Sequence, residues 1–370
     1  MNSTEALLRK TLVASGLDTA EWSRIDAGLR DRAFFMSEVE NVRILSAARN
    51  EVAAILQSGK SMSEARRDLR AALQAEGYQP SEAERGTIKD LYSRQRLDVM
   101  LRTNVEQARG YADYLQATSA GALAAFPAYE FIRVYLREHP RHDWRIRWDS
   151  AAQAVGWSGV ARGTSRMVAL KTSPIWVRLS RFGNPFPPFD FGSGMGLEDV
   201  DLVECRKLGL GPEAKAQKTP RVDFNGSLQA ELPALADSPD AERLRAAFGD
   251  QVTFDGNVAR WRGNLIRDTL DGQRAQANIG TGFDGQPLTV FHSDLADALS
   301  RSASSDLRDS LPLSPADFDL LPSLWRRPDR VDRTAADRTR LELDMLDGSL
   351  LILLVVPLTA KLLNFWKSKK

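Results

Sequence analysis

Cysteine and histidine are scarce in this chain. Across 370 residues there is one cysteine, Cys205, and three histidines, His139, His142 and His292. A single thiol excludes an internal disulfide and any cysteine-based zinc cluster, and it fits a reducing cytosol. Charge of one sign is also lacking. Fifty Lys and Arg stand against 49 Asp and Glu, so no global field advertises a nucleic-acid or membrane partner. The start, Met-Asn-Ser-Thr-Glu, has no basic stretch followed by an apolar core, which argues against a secretory signal. The longest apolar run, "LLILLVVPLTA" from Leu350 to Ala360, falls short of the roughly 20 residues that span a bilayer. It reads as buried strand, and no membrane partner is expected. No Gly-x-Ser-x-Gly elbow appears, and the N-terminal helical part lacks glycine-rich phosphate loops.

What is present is a globular composition, 43% apolar, in a chain long enough for two or three domains. The first part has helical texture. "MSEVENVRILSAARNEVAAILQSG" places Val39, Val42, Ile44, Leu45, Val52, Ile55 and Leu56 near helical spacing, with Gly59 as a stop. "SMSEARRDLRAALQAEGY" begins with Ser61 or Ser63 as N-cap and ends at Gly77. Leu91, Leu97, Met100, Leu101 and Val105 form an apolar stripe on one or two long helices. From about Phe126 the helical period fades.

The most unusual stretch is "SPIWVRLSRFGNPFPPFDFGSGMGLEDVD", Ser173 to Asp201. Pro185, Pro187 and Pro188 forbid a regular ladder, while Gly192, Gly194 and Gly196 permit unusual backbone angles. Trp176, Phe182, Phe186, Phe189 and Phe191 supply aromatic bulk. With no nucleophile–base pair, metal set or phosphate cradle, the stretch reads as a rigid structural or interface clasp. Asp190, Ser193 and Asp199 are its only polar candidates.

Further along, a hairpin is expected at Asp255-Gly256 and another at Asp347-Gly348, between "RTRLELDML" and "SLLILLVVPL". "NIGTGFDGQPL", with four glycine or proline residues, reads as a linker. The fold class expected is multidomain α+β. A helical region would cover 1–125, a central mixed α+β domain 126–272, a linker 273–287 and a small β-rich α+β domain 288–370.

Chemistry is thinly signalled. "HPRHD" sets His139 three residues before His142, but Pro140 and the want of a third ligand favour a solvated basic turn over a metal site. No metal and no cofactor are expected. Cys205 reads as a small packed hydrophobe. "RHDWRIRWD" interleaves Arg145 and Arg147 with Trp144 and Trp148; stacking on single-stranded nucleic acid is weighed against an amphipathic strand with buried tryptophans, and the strand is favoured. The basic ends of "WRRPDR" and "FWKSKK" are weighed as RNA contacts against a charged tail, and the tail is favoured.

Two resemblances stand on these residues. "RDRAFFMSEVENVRIL", "GTIKDLYSRQRLDVMLRTNVEQARGYADY", "FPAYEFIRVYLREHPRHDWRIRW" and above all the clasp resemble the head morphogenesis proteins of tailed bacteriophages, the minor head proteins grouped with Mu gpF. The likeness covers roughly Arg30 to Leu210 and extends to Gly272. It implies a low-copy protein inside the head, in the virion and in the host cytoplasm during assembly. It implies as partners the portal and major head proteins, with packaged DNA also in reach. Many members carry a histidine–cysteine cluster at the end of the central domain; here only Cys205 lies near that place. From Leu288 to Lys370, "LTVFHSDLADAL", "LPSLWRRPDRV", "LELDMLDGSLLILLVVPL" and "LLNFWK" are similar in layout to barnase/EndoU/colicin-like ribonuclease modules. That likeness implies metal-independent RNA cleavage, with His292 as base and Lys367 or Arg330 at the phosphate. An inactive structural end domain is the alternative.

Overall fold

The computed structural model describes residues 2–25, 27–136, 143–157, 164–210, 230–231, 239–255, 258–302, 310–335, 337–356 and 361–369. The architecture is multidomain α+β with a β-rich C-terminal sheet. Two compact units divide the chain discontinuously. One comprises Met1–Leu7, Val52–Arg66 and Pro80–Phe224; the other comprises Leu8–Glu51, Arg67–Gln79 and Asn225–Lys370.

In the first unit the helix Arg94–Ala117 is the longest element. The Ser93 side chain caps it by accepting from the Arg96 N–H at 3.2 Å. Its apolar stripe is buried as the spacing predicts, through Leu97, Met100, Leu101 and Val105, and continues into Tyr111 and Tyr114. Three antiparallel strands make the sheet, with Ala128–Arg133 in the middle, Val168–Leu170 on one side and Met195–Val200 on the other. Phe131, on the central strand, meets Trp144 and Trp148 of helix Trp144–Ala154 and Phe189 of the clasp. This aromatic core absorbs the residues that carried the clasp's sequence signature.

"RHDWRIRWD" is helix from Trp144 onward where a strand was expected. Trp144 and Trp148 are four apart, a spacing that serves a strand face and a helix face equally well. Ile146 discriminates: a strand would bury it with the tryptophans, whereas here it is 69% exposed.

The second unit contains the parallel pair Thr11–Leu12 and Ala33–Phe34, with Thr11 opposite Ala33. The first 125 residues are therefore not uniformly helical. Strands Val252–Asp255 and Val258–Trp261 pair antiparallel as the hairpin expectation requires, although the turn at 256–257 lies outside the described residues. The large sheet runs Arg330–Ala335, Arg338–Asp344, Ser349–Val356, Lys361–Lys369, Pro287–Phe291, Gln276–Thr281, and Ser310–Leu311 joins the far end of Lys361–Lys369. Strand Arg338–Asp344 alternates strictly, sending Thr339, Leu341 and Leu343 inward. Its hairpin closes at Asp347-Gly348, where Gly348 holds φ 79° and its N–H donates to Met345 O at 3.1 Å.

The expected linker 273–287 instead contains strand Gln276–Thr281 and the first residue of strand Pro287–Phe291. Gln276–Thr281 pairs antiparallel with Pro287–Phe291, and Ala277 and Ile279 are buried. Gly280, at φ +104°, is there because a Cβ would meet Asp250 Oδ2 at 2.7 Å. Glycine here answers a close approach inside a sheet and does not mark a flexible joint.

Candidate functional site

The clasp is a buried brace. Trp176 and Phe189 are fully enclosed and Phe186 nearly so. The Trp176 Nε1–H donates to Leu170 O at 2.8 Å, fixing the ring against the sheet. Phe182 and Phe191 are half-buried and meet edge-to-face with centroids 4.9 Å apart. Pro187 presents its carbonyl to Gly110 of the long helix so closely that a Cβ there would lie 2.0 Å from the oxygen. Pro188 is buried beside it, and the Pro187–Pro188 bond is cis. The polar candidates are occupied structurally. Asp190 pairs with Arg147 at 2.9 Å and Arg181 at 3.6 Å, and Ser193 accepts from the Met195 N–H. Asp199 pairs at 2.7 Å with Lys171, whose side chain is fully buried and also donates to Ala117 O.

At the exit of the clasp, Gly194 O accepts from both the Val134 and Tyr135 N–H groups, at 3.0 and 3.1 Å. Gly196 leaves room for the Val134 methyls, which a Cβ would meet at 2.9 Å. The clasp thereby holds the end of strand Ala128–Arg133 in place. Beyond that strand the chain turns apolar and exposed: Val134 is 44%, Tyr135 64% and Leu136 93% accessible.

Among the described residues no group of three or more His, Cys, Asp and Glu could hold a metal ion, while His139 and His142 lie outside those residues. Cys205 packs with Ala128, Val168, Val200 and Leu208. Burial, with Asp201 and Glu204 nearby, pushes its thiol up to about 11. A hollow of about 410 Å³ is lined, among the described residues, by Trp157, Leu170, Thr172 and Pro174 and by no titratable group.

The three ribonuclease candidates do not converge. His292 opens helix His292–Ser302, and its Nδ1 lies 2.8 Å from Thr269 O. A carbonyl only accepts, so Nδ1 carries the proton. Arg330 is clamped by Glu342 at 2.6 Å and Asp344 at 2.9 Å. Lys367 lies between Asp347 at 2.9 Å and Asp317 at 3.7 Å. Four strand-to-strand steps separate the strand before His292 from the strand of Arg330. At about 4.8 Å each, those steps put the two roughly 19 Å apart. Thr289 pairs in parallel with Lys361, so Lys367 is three residues further along than His292, roughly 10 Å.

The second unit holds a site that the sequence did not signal, a cleft of about 720 Å³. Its lining comes from the Thr11–Gly16 and Glu40–Arg43 stretches, the start of helix Arg262–Leu270, and the Pro322–Arg327 segment. The floor is braced by Gln251, which donates to Ala14 O at 2.8 Å and accepts from its N–H at 3.1 Å. Arginines dominate the chemistry. Arg262 donates through Nε to Asp250 O at 2.5 Å and through Nη1 to Asn278 O at 2.8 Å. Arg326 is paired with the Asp250 carboxylate. Two guanidiniums thus share one aspartate; burial first, and then Arg326, lower the Arg262 pKa, against the opposing pull of Asp250. Arg43 is neutralised by Asp329 at 2.8 Å and Glu76 at 3.0 Å. Asp319 accepts from fully buried Arg49 at 2.5 Å and from Arg267 at 3.3 Å. Arg327 is exposed, and its guanidinium has no hydrogen bond or ion pair among the described residues.

With this geometry in view, the fold defines a class, multidomain α+β. No known protein family, curated protein or solved structure matches the chain.

Proposed function

We propose that the chain is a minor head protein of a tailed bacteriophage or prophage. In this reading it acts in capsid assembly inside the head, in contact with the portal. The major head protein and packaged DNA lie within its reach, in the virion and in the host cytoplasm during assembly. The sequence likeness over the clasp motivates the reading. The observation that carries it is how the first unit uses that clasp. Its aromatic groups are spent on an internal brace, and what the brace holds out is an exposed apolar run, Val134 to Leu136. Large exposed apolar groups on a rigid support suit association through surfaces better than catalysis. The ribonuclease alternative lacks comparable support, because His292, Arg330 and Lys367 stand apart and the two cations already have carboxylate partners.

Co-expression with the portal protein of the same phage is the test. The expected result is co-purification that Leu136→Asp abolishes while the melting temperature stays unchanged. No complex in either order of expression overturns the reading.

A further inference from the structure

We propose that the cleft of the second unit binds a pentose phosphate, with the phosphate seated at the first turn of helix Arg262–Leu270 and gripped by Arg327. Neither the portal nor the apolar run enters into this site.

The helix supplies the first element. It is nine residues long and preceded by Trp261, which offers no side-chain cap. The N–H groups of the first turn, Gly263 and Asn264 among them, have no acceptor within the helix. Such a terminus, with its partial positive charge, is suited to an anion. Gly263 lines the cleft, and its missing side chain is what lets Thr11 approach; a Cβ there would meet Thr11 Cγ2 at 2.5 Å and Oγ1 at 2.8 Å.

Thr11 supplies a second, independent element. It lines the cleft at 7% exposure, and its Oγ1 is buried without a hydrogen-bond partner among the described residues. Buried hydroxyls almost always have partners. A bound phosphate oxygen at this helix start would accept from that hydroxyl as well as from the backbone.

Charge is the third element. Arg262 and Arg326 crowd about Asp250, and Arg327 adds a guanidinium that has no ion pair among the described residues, although Glu40 and Asp329 line the same cleft. An oxyanion relieves this surplus, and guanidinium forks match phosphate geometry.

The size and the remaining lining choose the class of ester. About 720 Å³ lies within the range of pockets for small molecules. Among the described residues no aromatic side chain lines it, so base stacking is not the means of recognition. Ser15, Glu40 and Asn41 offer hydroxyl, carboxylate and amide groups for sugar hydroxyls, and Leu12, Val42 and Leu343 give the apolar remainder. A pentose phosphate reaches such a site either as the free sugar phosphate or as the end of a mononucleotide.

Isothermal titration of the full chain with ribose 5-phosphate, 5′-AMP and inorganic phosphate, at matched ionic strength, tests the assignment. At least one ester binds more tightly than inorganic phosphate, and Arg327→Gln weakens it by at least about tenfold with an unchanged circular dichroism spectrum. Thr11→Val weakens it too, while the ligand-free protein melts no lower than wild type. Tighter binding of ribose 5-phosphate identifies the free sugar phosphate, and tighter binding of 5′-AMP the nucleotide. Failure of both esters to bind, equal affinity for inorganic phosphate, or undiminished binding by Arg327→Gln overturns the proposal.

Discussion

Gly110→Ala measures how firmly the clasp is seated. In the interior of a helix this exchange ordinarily gains about 1 kcal/mol. Here the new Cβ would lie 2.0 Å from Pro187 O, 3.1 Å from Pro187 C and 3.3 Å from Phe186 Cδ2. The first contact is about 1.5 Å short of ordinary van der Waals separation, roughly 3.5 Å. The obstacle is a backbone carbonyl, which no rotamer change removes. Pro187 and Pro188 have fixed φ, and Phe186 and Phe189 are buried on either side. Overpacking of this kind costs about 1–3 kcal/mol, and the rigidity of the obstacle puts it at or beyond the upper end. The net loss expected is about 2 kcal/mol, a fall of roughly 4–8 °C in melting temperature for a unit of 150–250 residues. Gly121→Ala is the control: no atom lies within 4 Å of its Cβ, so the same exchange leaves stability unchanged or raises it by a few tenths of a kcal/mol. Urea unfolding followed by tryptophan fluorescence, to which Trp148 and Trp176 contribute among eight tryptophans, records the loss. If Gly110→Ala unfolds at the same urea concentration as wild type, or higher, the clasp is not packed on the helix as described.

Two further outcomes follow from buried charge. Asp319→Ala leaves the guanidiniums of Arg49 and Arg267 buried without their shared carboxylate, a loss of about 3–5 kcal/mol; the urea midpoint records it, and Asp319→Asn, which keeps an acceptor, falls by less. Asp268 is buried, and desolvation first, then Asp271, raises its carboxyl from 3.8 to about 6. Between those values the folded chain keeps a proton that the unfolded chain releases, so its contribution is present below the lower value and lost as pH rises through the higher one. Asp268→Asn removes that slope and melts above wild type at neutral pH; melting temperatures across the window that run parallel for the two proteins would refute it.

The sequence made some of this legible and hid the rest for physical reasons. The stripe on helix Arg94–Ala117 and the alternation in Arg338–Asp344 repeat often enough to fix their periods. At "RHDWRIRWD" the pattern is too short, since two tryptophans four apart satisfy both periods and only the exposure of Ile146 separates them. The strand Gln276–Thr281 was hidden because glycine enters sheets for close approach as readily as it enters linkers. The clasp could be read as structural, since no catalytic pair accompanies its aromatics. The cleft could not be read at all. Thr11, Arg262, Arg326 and Arg327 share no motif, and their conjunction depends on tertiary packing. The uncapped helix start after Trp261 is the one local signal, and it is silent without a known helix boundary.

Strand Lys361–Lys369 is interior to its sheet, and the unit it completes also contains Leu8–Glu51. On the ribosome these parts are made far apart in time. At roughly 5–20 residues per second, the stretch ending at Glu51 waits on the order of 15 to 60 s for Lys361 to be made. Meanwhile Pro80–Phe224 emerges and can close its aromatic core. Leu12 and Phe34, destined for burial, spend that interval without the later residues of their unit. The part of the protein begun early is thus finished late, and it is a natural client for chaperones during synthesis.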